Sequence, residues 1–283
     1  MNRGYTNRGL YDQSTIRYYA QYNDMKSIKS STAKKPLRRR RPVAKTPRIT
    51  FHVVTLFPES LTSYIEASIL GRAITDGYVA VKTYGIRDFS TEKWNRVDRP
   101  PYGGGPGMVL EPEPIIRAIA KATSRKKAYR ILFTTPRGEL FTNAVAKRYA
   151  EAAATHDEAG TKRSAPIKDI IIVCGRYEGI DARVREVFPM EEISIGDFVL
   201  TGGELAALVV MDTTIRQVPG VLGNFDSREE SRVSTDYVYT RPESFKWKGT
   251  TYQVPDVLRS GDHAAMEAWK KTKEQERGSA TGA

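Results

Sequence analysis

Two stretches hold the residues whose types and spacing could do chemistry. Val173-Cys174-Gly175-Arg176-Tyr177-Glu178-Gly179-Ile180-Asp181 and Ile195-Gly196-Asp197-Phe198-Val199-Leu200-Thr201-Gly202-Gly203-Glu204 each run apolar, stop at glycine and lead into a helix-like segment. Residues 170–174 read as a buried parallel strand. Gly175 then lets the backbone turn, or lets a ligand approach it without a Cβ in the way. Arg176, Glu178 and Asp181 concentrate charge at that strand's carboxyl end. The second stretch repeats the logic with Gly202-Gly203 after Phe198-Val199-Leu200, and a third strand end stands upstream, where residues 130–134 stop at Thr135-Pro136-Arg137-Gly138. Ligands of open α/β sheets bind at such strand ends. Three adjacent ends would form a cleft lined by backbone N–H and C=O groups and apolar side chains, suited to an adenine ring with a neutral or cationic tail. The chain has no P-loop, which argues against a nucleoside triphosphate.

The elements that must position these residues alternate. Strands are expected at residues 50–56, 79–84, 130–134 and 170–174. Helices are expected at 61–76, 113–123, 143–154, 182–187 and 204–216, with Gly77 as a helix stop. This alternation predicts an α/β domain with a mainly parallel sheet. Tyr102-Gly103-Gly104-Gly105-Pro106-Gly107-Met108 contains a G-x-G-x-G but follows no strand, so it reads as a loop that lets backbone pack close to a substrate or partner rather than a dinucleotide fingerprint. The helix at 204–216 is apolar beyond one face and is expected in an interior or a subunit interface.

The net charge of +12 is unevenly placed. Residues 1–48 carry 13 Lys and Arg against Asp12 and Asp24, leaving 32 basic and 31 acidic residues to the rest. The first 48 residues read as a disordered basic arm, serving as a nucleic-acid-binding tail, a transit segment or an inert leader. The folded body starts near Ile49. Residues 225–237 are polar and read as a mobile linker. Residues 239–283 read as a short tail with Asp262 capping a helix from 263 to about 273. One cysteine excludes an internal disulfide, and three scattered histidines argue against a metal site built on them. No apolar run approaches the ~18 residues of a membrane span.

Five strings in one order, Pro-Tyr-Gly-Gly-Gly-Pro-Gly-Met (101–108), Cys-Gly-Arg-Tyr-Glu-Gly-Ile-Asp (174–181), Ser-Ile-Gly-Asp-Phe-Val-Leu-Thr-Gly-Gly-Glu-Leu (194–205), Pro-Gly-Val-Leu-Gly-Asn (219–224) and Tyr-Thr-Arg-Pro (239–242), closely resemble the bacterial tRNA (guanine-N1)-methyltransferase family, TrmD. Order and spacing match over about residues 49–273. The resemblance implies a SPOUT-type α/β fold with a deep C-terminal trefoil knot over residues 49–224, a linker at 225–238 and a small helical tRNA-binding domain at 239–283. It implies a cytoplasmic homodimer that binds S-adenosylmethionine in the knot and methylates N1 of the guanine at tRNA position 37, with Mg²⁺.

The resemblance assigns Phe133, Thr134, Thr135 and Pro136 to a first cofactor loop, Gly175 to a second, and Ile195, Gly196, Phe198, Leu200, Gly202 and Gly203 to a third. Gly203 is expected directly against the cofactor. Glu178 falls where the family has a carboxylate near cofactor and metal. Asp236 is the candidate general base, one residue later than the family's acid, whose register Thr235 occupies. Arg176 and Arg241 are candidates for phosphate or guanine O6 contacts. Their bland alternatives are pairing with Glu178 or Asp181 for Arg176, and anchoring the linker for Arg241. The family's second acid after Val97-Asp98 is Arg99 here, and the tail is shorter than the family's. Rival readings are a SPOUT enzyme methylating a ribose 2′-hydroxyl and a non-catalytic SPOUT-like RNA-binding protein.

Overall fold

The computed structural model describes residues 47–124, 126, 128–154, 166–222 and 237–280. The basic arm up to residue 46 and the linker through Asp236 lie outside the described residues. Five strands form one sheet: β1 (Ile49–Thr55), β2 (Val79–Gly85), β5 (Tyr129–Leu140), β6 (Asp169–Cys174) and β7 (Glu191–Ser194). Their order is β2-β1-β6-β5-β7, and every pairing is parallel. The α/β reading with a parallel sheet holds.

Helices cover both faces. On one face Phe51, Val53, Leu132, Ile170 and Ile172 pack against α1 (Glu59–Ile65), α2 (Ser68–Thr75), α4 (Asn143–Ala152) and α6 (Glu204–Arg216). On the other, Val54, Phe133, Ile171 and Val173 pack against α3 (Pro112–Thr123) and α5 (Arg183–Val187). Being covered on both sides, β6 is apolar at every position from Ile170 to Cys174, as a central parallel strand should be.

The expected helix over 61–76 is two helices. The chain breaks at Glu66-Ala67, and a Cβ on Gly71 would lie 2.2 Å from the Glu66 carbonyl oxygen, so glycine allows the second helix to fold back on the end of the first. The apolar run Phe198-Val199-Leu200 is not a strand. The strand ends at Ser194, and residues 195–203 form the loop to α6, with Phe198 and Val199 53% and 83% exposed. A two-residue antiparallel ladder of β3 (Asp98–Arg99) and β4 (Val109–Leu110) closes the base of the glycine loop.

In the tail the expected helix is present as α7 (His263–Ala280), extending past residue 273, and Asp262 Oδ1 accepts from the N–H of Ala264 and Ala265. Ahead of it stands a hairpin of β8 (Ser244–Trp247) and β9 (Thr250–Gln253) that the sequence reading did not anticipate. Among the described residues no helix is long and apolar enough to cross a membrane.

Candidate functional site

The site is built by the sheet. Thr134 pairs with Cys174 on β6 and with Ile193 on β7, so the carboxyl ends of three strands converge. At this point β5 leaves its partner. Thr134 and Glu139 both register with Ile193, and residues 135–138 loop out between them. Gly138 permits the return, because a Cβ there would lie 2.4 Å from backbone atoms of Glu192 and Ile193. The loop after β6 turns at Tyr177, held at φ 57°, and Gly179, held at φ 118°. The loop after β7 is pinned by Ser194, whose hydroxyl donates to the Gly196 carbonyl (2.9 Å).

These loops enclose a cleft of about 410 Å³. Phe133, Thr134, Thr135, Pro136, Gly175, Ile195, Gly196, Phe198, Leu200, Gly202 and Gly203 all line it, as do Arg176 and Glu178. The volume lies in the range of small-molecule sites. Pro136, Phe198, Leu200 and Ala206 give apolar walls, and the glycines leave backbone accessible, a lining that fits an adenine ring with a short cationic tail.

Gly203 lines the cleft, and a Cβ there would meet Thr134 Oγ1 at 2.1 Å and Cys174 Cα at 2.9 Å. Glycine is therefore required by the packing of α6 onto the strand ends. Its N–H donates to the Gly175 carbonyl (2.9 Å), which locks the second and third loops together.

Arg176 pairs with neither Glu178 nor Asp181. Its Nη2 lies 3.1 Å from Glu204 Oε2, its Nε donates to Glu204 Oε1 (3.3 Å), and its Nη1 donates to the Thr201 carbonyl (3.3 Å). The guanidinium also sits 4.7 Å from the Phe57 ring centroid. Glu204, 4% exposed, further accepts from the Thr55 hydroxyl (2.7 Å). Glu204 thus ties the end of β1, the end of β6 and the third loop to the first turn of α6. The sequence reading missed this role. Its only signal was an acid directly after the glycine pair, at a helix start where a carboxylate is favoured.

Asp181 is taken by Arg183, whose hydrogen bonds hold the carboxyl below the usual range. Glu178 remains exposed, with its carboxylate against Gly107, where a Cβ would come within 2.7 Å of Oε1. The Glu178 N–H donates to the Met108 carbonyl (3.1 Å), so the glycine loop and the second loop are joined. Gly103, Gly104 and Gly105 have φ of 88°, 79° and 113° with open space where a Cβ would stand, so backbone conformation is what calls for glycine there. Cys174 is fully buried, and burial pushes its thiol well above the ordinary range, which removes it as a nucleophile. Arg241 is exposed and lies outside the cleft lining. Among the described residues no group of three His, Cys, Asp or Glu side chains is placed to hold a metal ion.

Fold and cleft define a class: a parallel-sheet α/β protein with a cleft made of three loops at strand carboxyl ends. The family model described as tRNA (Guanine-1)-methyltransferase TrmD matches residues 49–281, and the chain belongs to that family. The tRNA (guanine-N(1)-)-methyltransferase of Geobacter metallireducens is 43% identical over 227 residues, covering 79% of this chain and 85% of the relative. The enzyme of the same name from Myxococcus xanthus is 42% identical over 232 residues, covering 81% and 86%. That of Persephonella marina is 40% identical over 232 residues, covering 80% and 84%.

Proposed function

We propose that this protein methylates N1 of guanine in tRNA, at position 37, using S-adenosylmethionine bound in the three-loop cleft. Membership of the family, together with the convergence of the assigned loops on one cleft, is the observation that carries this reading. When bound, S-adenosylmethionine supplies an electrophilic methyl group on sulfur. The chain's own contribution is position: in-line displacement needs donor and acceptor held at near-attack distance, and the locked loops hold one side of that geometry.

Guanine N1 carries a proton, so transfer needs a base. Asp236 takes that proton in this reading, and the negative charge developing on O6 needs a donor or cation. Arg241 is a candidate for that charge. Arg176, already engaged by Glu204, acts more naturally by holding the cleft. Mg²⁺ is implied by the resemblance, but the described residues build no site for it, and no step here runs through it.

The remaining expectations are a trefoil knot in the C-terminal part of the sheet domain, a helical tRNA-binding tail, a cytoplasmic location and a homodimer. Support for the dimer comes from α6, where Leu205 and Val209, one turn apart, are 60% and 43% exposed. Such a stripe on an otherwise buried helix suits a subunit interface. A monomer in sedimentation at micromolar concentration would contradict it.

The decisive test is mass spectrometry of nucleosides after incubating unmodified tRNA transcript with protein and labelled cofactor. The expected product is 1-methylguanosine; a 2′-O-methylated nucleoside, or no product, overturns the reading. Asp236→Asn is expected to slow single-turnover transfer by ~10²-fold or more with cofactor affinity unchanged. Thr235→Ala tests the neighbouring register.

A further inference from the structure

Charge along the cleft is unevenly matched. Five acidic or basic side chains belong to its lining: Arg137, Arg176, Glu178, Arg185 and Glu192. Three of them are engaged inside the protein. Arg176 is held by Glu204 (3.1 Å). Arg185 pairs with Glu192, Nε to Oε1 at 3.3 Å, and its guanidinium lies 5.2 Å from the centroid of the Phe133 ring. Among the described residues Arg137 and Glu178 form no ion pair. The cleft therefore offers a ligand one unmatched cation and one unmatched anion.

The cation stands at a fixed point of the rim. Pro136 before it has its φ set by the ring. The Arg137 N–H donates to the Thr135 hydroxyl (3.4 Å). Gly138 after it sits tight against the Glu192–Ile193 backbone. Backbone is thus held on both sides of Arg137, while the residue itself remains exposed.

The ligand proposed for this cleft carries matching charges. S-adenosylmethionine has two positive centres, the sulfonium and the amine, and one negative group, the carboxylate of its amino-acid end. Glu178 is available to the positive centres. The carboxylate needs a cation or a donor, because a charge set against apolar walls without one loses hydration that nothing replaces. Arg176 and Arg185 each face a carboxylate of the protein, so neither keeps an unmatched charge.

We infer that Arg137 is the carboxylate-binding residue of the cleft and holds the amino-acid end of S-adenosylmethionine. A guanidinium meets a carboxylate as a planar fork, which fixes orientation as well as position. The inference deepens the proposed cofactor site and rests on that reading. Its consequence is specificity: the cleft distinguishes S-adenosylmethionine from analogues with the same adenosine but no carboxylate.

The test is calorimetric titration of the full chain, without tRNA, with S-adenosylmethionine and with decarboxylated S-adenosylmethionine, which keeps the sulfonium and the amine. The wild-type chain should bind the carboxylated ligand about fivefold tighter, the upper range for an exposed ion pair. In Arg137→Gln that preference should vanish, with S-adenosylmethionine weakened to the level of the analogue and the analogue unchanged. Arg137→Lys keeps the charge but loses the fork, and should restore part of the preference. A folding or packing fault would weaken both ligands alike, because both carry the adenosine.

Equal losses for the two ligands overturn the inference, and so does an intact preference in Arg137→Gln. An intact preference together with a tRNA salt slope lowered by about one would place Arg137 on a tRNA phosphate instead. Nucleoside analysis of the wild-type protein with tRNA separates this inference from the methylation it rests on. A preference that depends on Arg137, without 1-methylguanosine, leaves the carboxylate subsite standing and removes the proposed reaction. Formation of 1-methylguanosine by a protein without that preference does the reverse.

Discussion

Glu204 shows how much of this site depends on one buried carboxylate. It receives Thr55 from β1 and Arg176 from the loop after β6, and it begins the helix that follows the third loop. Removing one partner of a buried pair leaves the other uncompensated and costs on the order of 3 kcal/mol. Glu204→Ala is therefore expected to lower stability by about that amount in urea unfolding, and to weaken cofactor binding because the loops lose their common anchor. Glu204→Gln keeps an acceptor for Thr55 and should lose less of both. Equal stability of Glu204→Ala and wild type would show that Arg176 finds compensation elsewhere. The pairing joins residues 28 apart in the chain and was hidden from a reading that considered only the acids adjacent to Arg176. The glycines were visible as glycines, but what each faces depends on which strand lies beside it. This is why the packing of Gly203 on Thr134 and Cys174 was not legible in the sequence.

At the scale of elements, the strand ends were legible because a central parallel strand buried on both faces must be continuously apolar, as β6 is, and must end where backbone freedom begins. The parallel sheet followed from the alternation of strands and helices. Features fixed by contact between distant segments were not legible. The break between α1 and α2 depends on Gly71 meeting the Glu66 carbonyl, and β5 continues beyond its loop only because β7 is there to receive it. The tail hairpin did leave a signal, aromatic and β-branched residues on both sides of Lys248-Gly249, which is the pattern of a tight hairpin. The return of β5 makes a sharp prediction. Gly138→Ala places a methyl against the Glu192–Ile193 backbone, where no flexible side chain can yield. A cost of about 1–3 kcal/mol is expected, as for other overpacked sites. The β5–β7 register beyond residue 138 should loosen, read as faster amide exchange at Phe141, whose N–H donates to the Ser194 carbonyl (2.8 Å). Unchanged exchange there would mean the strand accommodates the side chain.

Two properties belong to the whole molecule. The first is a polar cluster inside the sheet domain: His52 on β1 bonds Asp169 on β6 (2.9 Å) and Tyr84 on β2 (3.0 Å), while Lys126 pairs with Asp169 (2.8 Å). Burial lowers the His52 pKa from 6.5 by more than Asp169 raises it. The unfolded chain then takes up this proton more readily than the folded one, so stability is full above pH 6.5 and falls as pH drops below it. Burial raises the Asp169 pKa, but Lys126 and His52 outweigh that and hold it below 3.8, so its contribution is lost only as pH falls through the folded value. The urea midpoint should therefore decline between pH 7.5 and 5.5, and His52→Gln should flatten that decline. An undiminished slope in the variant would assign it to other groups. The second property is the distribution of charge. The body from residue 49 onward is nearly neutral, while residues 1–48 carry 13 cations against two acids. A nearly neutral body must grip a polyanion through local patches, whereas a cationic arm acts by releasing counterions, and each phosphate it neutralises adds roughly 0.7–0.9 to the log–log salt slope. Deleting residues 1–46 should weaken tRNA binding at low salt and reduce that slope, leaving the methyl-transfer rate at saturating tRNA unchanged. Matching slopes for the full and shortened chains would mean that the arm's charge does not meet tRNA.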